Sequence, residues 1–140
     1  MNDLQTARQL LAEGQYTCVI CGNGTLHTAT ARGVKPLVNW LDAGTNLENA
    51  SAADKVVGKA TAFLYCLLGV RAVYARIMSQ GAADVLKHQG IACSWEQLVP
   101  GIINRAGTGP CPFEAAVQNI SDPQTALTAI RQKMVEMNIS

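Results

Sequence analysis

RAVYARIMSQGAADVLKHQGIACSW, residues 71–95, holds a complete strand–helix–strand unit. From Arg71 to Met78, Val73, Ala75 and Ile77 alternate with Tyr74 and Arg76, the two-residue period of a strand. Ala82 to His88 then reads as a helix ended by Gly90, and Ile91 to Trp95 as a short second strand. Such a unit winds right-handed onto one sheet, which leaves few topologies for the rest of the chain.

Upstream, Ala60 to Leu68 is apolar on every face, the pattern of a buried central helix. That helix is expected to begin near Ser51, a good N-cap, and to stop at Gly69. Lys35-Pro36 opens a further helix carrying Leu37, Val38, Trp40 and Leu41, which Gly44 ends. Nearer the N-terminus, Tyr16 to Cys21 is rich in β-formers, Gly22-Asn23-Gly24 is a hairpin turn, and a return strand follows to about Thr30. Leu4, Ala7, Leu10 and Leu11 mark a first helix that stops at Gly14. Downstream, the turn-rich Asn104–Pro110 precedes a helix starting near Cys111. A last helix after Asp122-Pro123 directs Ala126, Leu127, Ile130, Met134 and Met137 inward. A hairpin followed by strand–helix alternation makes a mixed sheet with helices on both faces. The expected class is α/β, three-layer α-β-α, opening with a β-hairpin and forming one domain over residues 1–140.

Composition narrows the functions. The chain has 140 residues, 49% hydrophobic and 15% charged, with a net charge of +1. No basic stripe suits nucleic acid, and no apolar run is long enough to cross a bilayer. Neither partner is expected. The apolar surplus is expected to cover an interface between copies, a homo-oligomer. The N-terminal residues lack a signal core, and five cysteines without framework spacing suit a reducing compartment, so a cytoplasmic location is expected.

Four segments carry a family resemblance: Tyr16-Thr-Cys-Val-Ile, Arg32-Gly-Val-Lys-Pro-Leu37, Ala53-Asp-Lys-Val-Val-Gly-Lys-Ala60 and Ile103-Asn-Arg-Ala-Gly-Thr-Gly-Pro-Cys-Pro-Phe-Glu114. In this order they resemble the family termed domain of unknown function 1893, within the cytidine-deaminase-like superfamily. The resemblance implies a deaminase-like fold and no assigned reaction. Zinc deaminases set a His and a Glu at the start of one helix and Pro-Cys-x-x-Cys at the start of the next. With a helix starting near Ser51, Asp54 falls at the His position and Val56 at the Glu position, while Ser79 and Ala82 fall at the two cysteines. The zinc motif is absent, and no metal or other cofactor is expected. A zinc site rebuilt from Asp54, Cys111 and Glu114 is the remote alternative.

The candidate catalytic groups are Cys111, Asp54 and Lys55. Asp54, Lys55 and Lys59 would sit in the first two turns of the greasy helix, at the mouth of a pocket, with Gly58 admitting a ligand closely. The plain alternative is an Asp complementing the helix dipole beside solvated lysines. Cys111 lies at a helix start, where thiols gain nucleophilic character, and Glu114 would cap that helix or accept a proton. A small buried structural cysteine is the competing explanation. Asn104, Arg105, Thr108, Gly109, Arg32 and Lys35 are candidate contacts to an anion, though a loop Arg is often simply solvated. Cys18 and Cys21 match C-x-x-C, but positions i and i+3 of a strand face opposite sides, so both are assigned to the core. His27 and His88 have no local partner, and Trp40 and Trp95 read as core anchors.

Two functions therefore compete. The domain binds or converts a small, nucleotide-like or otherwise anionic metabolite without zinc, or it is a non-catalytic, oligomeric binding and regulatory module.

Overall fold

The computed structural model describes residues 2–104 and 106–139. Among these residues, six helices cover the faces of one five-stranded sheet. The chain runs through α1 (Asp3–Glu13), β1 (Cys18–Gly22), β2 (Thr25–Ala29), α2 (Lys35–Asp42) and β3 (Ser51–Val57). It continues through α3 (Lys59–Leu68), β4 (Ala72–Ser79), α4 (Gln80–His88), β5 (Ala92–Val99), α5 (Pro112–Val117) and α6 (Pro123–Glu136). The strand order is β2-β1-β3-β4-β5. β1 pairs antiparallel with β2 and β3, whereas β3–β4 and β4–β5 are parallel, so the sheet is mixed. The β1–β2 turn places Asn23 at φ 55° and Gly24 at φ 72°, two positive values that the Asn-Gly pair supplies without steric cost.

Two cores follow from the period of the strands. On one face, Ala7 and Leu11 of α1 pack on Val19, Cys21, Ala53 and Tyr74. The Arg8 guanidinium lies 4.1 Å from the centre of the Tyr74 ring. The other face is larger and joins Cys18, Ile20, Ala52, Val73 and Ala75 to α2 through α6. Cys18 and Cys21 thus point to opposite sides, as the strand period requires. At the centre is α3, with Ala60 through Tyr65 and Leu68 all buried. Burying side chains such as Phe63 and Leu64 stabilises the fold by about 1.5–3 kcal/mol each.

No helix starts near Ser51, contrary to the expectation from sequence. Ser51–Val57 is not helical but forms the central strand, held by β1 on one side and β4 on the other. Ser, Ala and Lys suit a helix in isolation, but intrinsic propensity is a weak force beside two ladders of hydrogen bonds and burial on both faces. Ala52 and Ala53, fully buried on opposite faces, are small enough for α1 and α3 to approach the sheet. The helix starts at Lys59 behind Gly58. Lys55 and Lys59 therefore do not share a helical face, and Asp54 sits on a strand. Two smaller differences concern extents. β5 runs on to Val99, and Met137 is 43% exposed rather than turned into the core. No helix among the described residues is long and apolar enough to cross a membrane.

Candidate functional site

β3, parallel to β4, delivers Asp54, Lys55 and Val56 to its C-terminal end, where ligand crevices form beside parallel strands. Asp54 pairs in register with Cys18 of β1, so both side chains share the α3 face. There the Tyr65 hydroxyl donates to Asp54 Oδ2 at 2.7 Å. The Cys18 sulfur lies 3.1 Å from the same hydroxyl oxygen. A phenol has one proton, and it goes to the carboxylate, so the thiol is the donor to Tyr65. Asp54 Oδ1 also accepts from the Val56 backbone N–H at 3.3 Å.

Burial dominates the acid–base behaviour of this chain of groups. It raises the Asp54 pKa from 3.8 to about 6, and the hydrogen bond from Tyr65 partly opposes the rise. Burial, joined by the nearby Asp54 charge, holds Cys18 and Tyr65 well above their ordinary values. Asp54 keeps part of its surface open to a cavity of about 370 Å³. Val34, Leu37, Val56, Ile103 and Phe113 supply apolar wall, while Arg32 and Lys55 are exposed charges along the same lining.

Six of the sequence-predicted residues meet around this cavity: Arg32, Asp54, Lys55, Gly58, Cys111 and Glu114. Cys111 is half-buried and precedes α5; its backbone N–H bonds Ile102 O at 2.9 Å. Glu114 caps α3 rather than its own helix. Its two oxygens accept from the N–H groups of Lys59 at 2.8 Å and Ala60 at 2.9 Å. A negative charge is favourable at that helix end, and two otherwise orphaned donors are satisfied. Gly58 makes the approach feasible, since a Cβ there would lie 2.6 Å from the Glu114 carboxyl carbon.

The other candidates lie elsewhere. Lys59 turns away, donating from Nζ to the Gln118 carbonyl at 3.0 Å, with its stem across Gly81 of α4. Lys35, in the first turn of α2, does not line the cavity. Asn104 and Thr108 hold their own loop together: Thr108 N–H donates to Asn104 Oδ1 at 3.1 Å, and Asn104 N–H to Gly109 O at 2.8 Å. None of these three lines the cavity. Arg105 lies outside the described residues. His27 is not solitary, since its ring meets Trp40 edge-on at 6.0 Å.

Tyr65 was missed. The signal was available: a phenol inside an otherwise apolar helix needs a partner for its hydroxyl. Thr17, Cys18 and Thr61 also line the cavity and were not singled out as site residues.

The zinc of the deaminase layout has no fitting ligands here. The helix that would carry His and Glu starts with Lys59-Ala60-Thr61, not at Asp54. At the start of α4, Ser79 is the N-cap, its hydroxyl accepting from Ala82 N–H at 3.1 Å, so Ser79 and Ala82 do fall at that second helix start. Asp54, Cys111 and Glu114 form no substitute cage. Among the described residues no three His, Cys, Asp or Glu side chains are grouped to hold a metal ion.

Comparison with known proteins agrees with the architecture. The family model of domain of unknown function 1893 (DUF1893) matches residues 6–134. A crystal structure of a DUF1893 family protein from Thermotoga maritima superposes with a TM-score of 0.83 at 24% identity, over 96% of this chain and 90% of that one. More distantly similar is the dCMP deaminase of cyanophage S-TIM5, with a TM-score of 0.44 and 14% identity, over 66% of this chain and 93% of that one. A diaminohydroxyphosphoribosylaminopyrimidine deaminase/5-amino-6-(5-phosphoribosylamino)uracil reductase from Thermotoga maritima gives 0.43 and 12%, over 66% and 35%. No relative by sequence emerges among curated proteins.

Proposed function

The chain belongs to the DUF1893 family of domains of unknown function, and from that premise we propose that it is a zinc-independent binding domain for a small anionic metabolite. The observation that carries this is the cavity of about 370 Å³ that gathers Arg32, Asp54, Lys55 and Cys111 between apolar walls. That volume lies at the lower end of the range for small-molecule sites. Of the four charges along the lining, Glu114 is committed to the backbone of α3 and Asp54 to Tyr65. Arg32 and Lys55 have no ion-pair partner among the described residues. They are the groups left to receive an anion. Because Glu114 already occupies N–H groups of α3, the anion is received at these side chains and not at the helix end.

A catalytic role is favoured by one observation, the Asp54 carboxyl with its pKa near 6 in the same cavity as Cys111. Such a carboxyl exchanges protons near neutral pH. In that reading Asp54 moves the proton and Cys111 is nucleophile or close contact.

The test is a thermal-shift screen of phosphate- and carboxylate-bearing metabolites on the wild-type chain, Arg32→Ala, Lys55→Ala and Cys111→Ala. Stabilisation that is lost in the first two variants supports the pocket. Stabilisation that survives all three puts the binding site elsewhere and overturns the proposal.

A further inference from the structure

Asp54 is a carboxylate in the cavity lining without an ion-pair partner among the described residues. From β1, Cys18 faces it with a thiol, and from α3, Tyr65 faces it with a hydroxyl. Neither brings positive charge. The cavity lining adds Arg32, Lys55, Cys111 and Glu114, yet no ion pair joins Asp54 to either cation among the described residues. A carboxylate has about four lone-pair sites. Tyr65 takes one at 2.7 Å and the Val56 N–H reaches another at 3.3 Å. The Lys55 N–H and the Cys18 thiol close by add smaller stabilisation of the charge, and none of these groups neutralises it.

Burying an anion under those terms is unfavourable unless a donor or cation completes it. At neutral pH a group that completes it can reach Asp54 from the cavity side, the direction in which the carboxylate is still open. At the same cavity, Arg32 and Lys55 offer the opposite charge. The lining is thus a dipole, acidic where Tyr65 anchors Asp54 and basic at the exposed side chains. Apolar Val34, Leu37 and Phe113 are among the walls.

We infer that the ligand is zwitterionic, carrying a protonated amine or amidine-like N–H donor that seats on Asp54 and an anionic group that seats at Arg32 and Lys55. This rests on the anion-binding reading above and adds the chemistry of the other end of the ligand. Tyr65 is then a positioning residue: it aims Oδ2, so that the lone pairs not taken by protein donors meet the ligand.

The test uses matched pairs of simple probes on the full chain, followed by protein NMR shifts. The zwitterions are β-alanine, γ-aminobutyrate and ε-aminocaproate; the controls are propionate, butyrate and caproate. At least one zwitterion is expected to bind about tenfold or more tightly than its partner, as a charged hydrogen bond in a protein site implies. Asp54→Asn should abolish that preference, with the carboxylates binding as tightly as before or more tightly, because a like charge has left the cavity. Lys55→Ala should weaken both members of a pair alike. Equal binding within every pair, or a preference that survives Asp54→Asn, overturns the zwitterion inference while the anion site stands. If neither the carboxylates nor inorganic phosphate bind, the anion-binding reading falls, and this inference falls with it. Should Asp54→Asn fail to fold, Tyr65→Phe serves in its place. It keeps the charge but frees its aim, so a preference of unchanged size in that variant also counts against the inference.

Discussion

Tyr65 gives its only hydroxyl proton to Asp54 Oδ2 at 2.7 Å, which ties the middle of the buried helix to the open end of the central strand. The Cys18 thiol, 3.1 Å from the same oxygen, extends the link across to β1. Three elements thus converge on one polar spot within the larger core. Such a network is strong while complete and costly when one member is removed.

Tyr65→Phe therefore tests the network with little change of shape. Phe fills the same volume, but Asp54 loses its shortest hydrogen bond and the Cys18 thiol loses its acceptor. The variant is expected to lose about 1–3 kcal/mol of stability at neutral pH or above, measured by urea denaturation. The loss should shrink in mild acid, where Asp54 is protonated and needs the donor less. Since the Tyr65 hydrogen bond lowers the Asp54 pKa, carbon-13 NMR should find that pKa higher in the variant. Unchanged stability at both pH values would contradict the network.

Asp54→Asn probes the charge itself, and the direction follows from linkage. The folded-state pKa is about 6 against an ordinary 3.8, so folding favours the protonated carboxyl. The associated stability is complete below the unfolded pKa and is lost as the pH rises from about 4 through 6. The Asn variant lacks this loss. Relative to wild type it should gain about 1–3 kcal/mol above neutral pH, a discounted conversion of the shift. The gain should vanish near pH 4. Asp42 and Asp122, whose pKa values are lowered by hydrogen bonds from Arg131 and from Thr125, run the opposite way and cancel in the comparison. Denaturant midpoints of the two proteins across that pH range are the measurement, and parallel curves would rule the linkage out.

The segments with strong period were legible in the sequence. α1, the hairpin, α2, β4, α4 and α6 lie where apolar spacing and Gly or Pro punctuation place them. Ser51–Val57 was not legible, because what makes it a strand is its neighbours β1 and β4, and those contacts are remote in sequence. The helix starts a few residues after Asp54, yet Asp54 and Lys55 still reach the cavity, since the end of β3 and the start of α3 open on the same place. Glu114 was expected near a helix start, and which helix it caps was invisible. Its partners Lys59 and Ala60 are over fifty residues away in the chain. Lys59 looked like a site residue because its neighbours are. Only the packing of α5 on α3 shows its ammonium drawn to Gln118.

Accessibility separates the cysteines. Cys18 and Cys21 are buried, while Cys66, Cys93 and Cys111 are half-buried, and all five are free thiols. Burial also raises the Cys66 pKa to about 11, which slows its reaction at neutral pH. A thiol reagent on the native protein should label Cys111 and Cys93 ahead of Cys66, and reach Cys18 and Cys21 only on unfolding. Of the three half-buried thiols, only Cys111 lines the cavity. A bulky adduct there should block ligand binding, whereas one on Cys93 should not. Peptide mass spectrometry of the label, read beside ligand titration, checks both statements. Full binding with Cys111 fully labelled would move the site away from this cavity.

The contact between Gly58 and Glu114 gives the sharpest double test. Gly58 has φ −95° and ψ −179°, extended backbone open to any residue, so an Ala there is opposed by space alone. Its Cβ would stand 2.6–2.7 Å from the three atoms of the Glu114 carboxyl group. Either the carboxylate moves and releases the Lys59 and Ala60 N–H groups, or α5 shifts as a whole. Gly58→Ala should therefore cost about 1–3 kcal/mol. Glu114→Ala should cost about 1–2 kcal/mol by stripping the cap. With both changes the clash no longer exists, because the second substitution removes the carboxyl group that the new Cβ would meet. The double variant should be more stable than the sum of the single losses predicts by about 1 kcal/mol or more. Urea denaturation of the four proteins measures this coupling. Strict additivity would mean that Glu114 does not hold the end of α3 in solution.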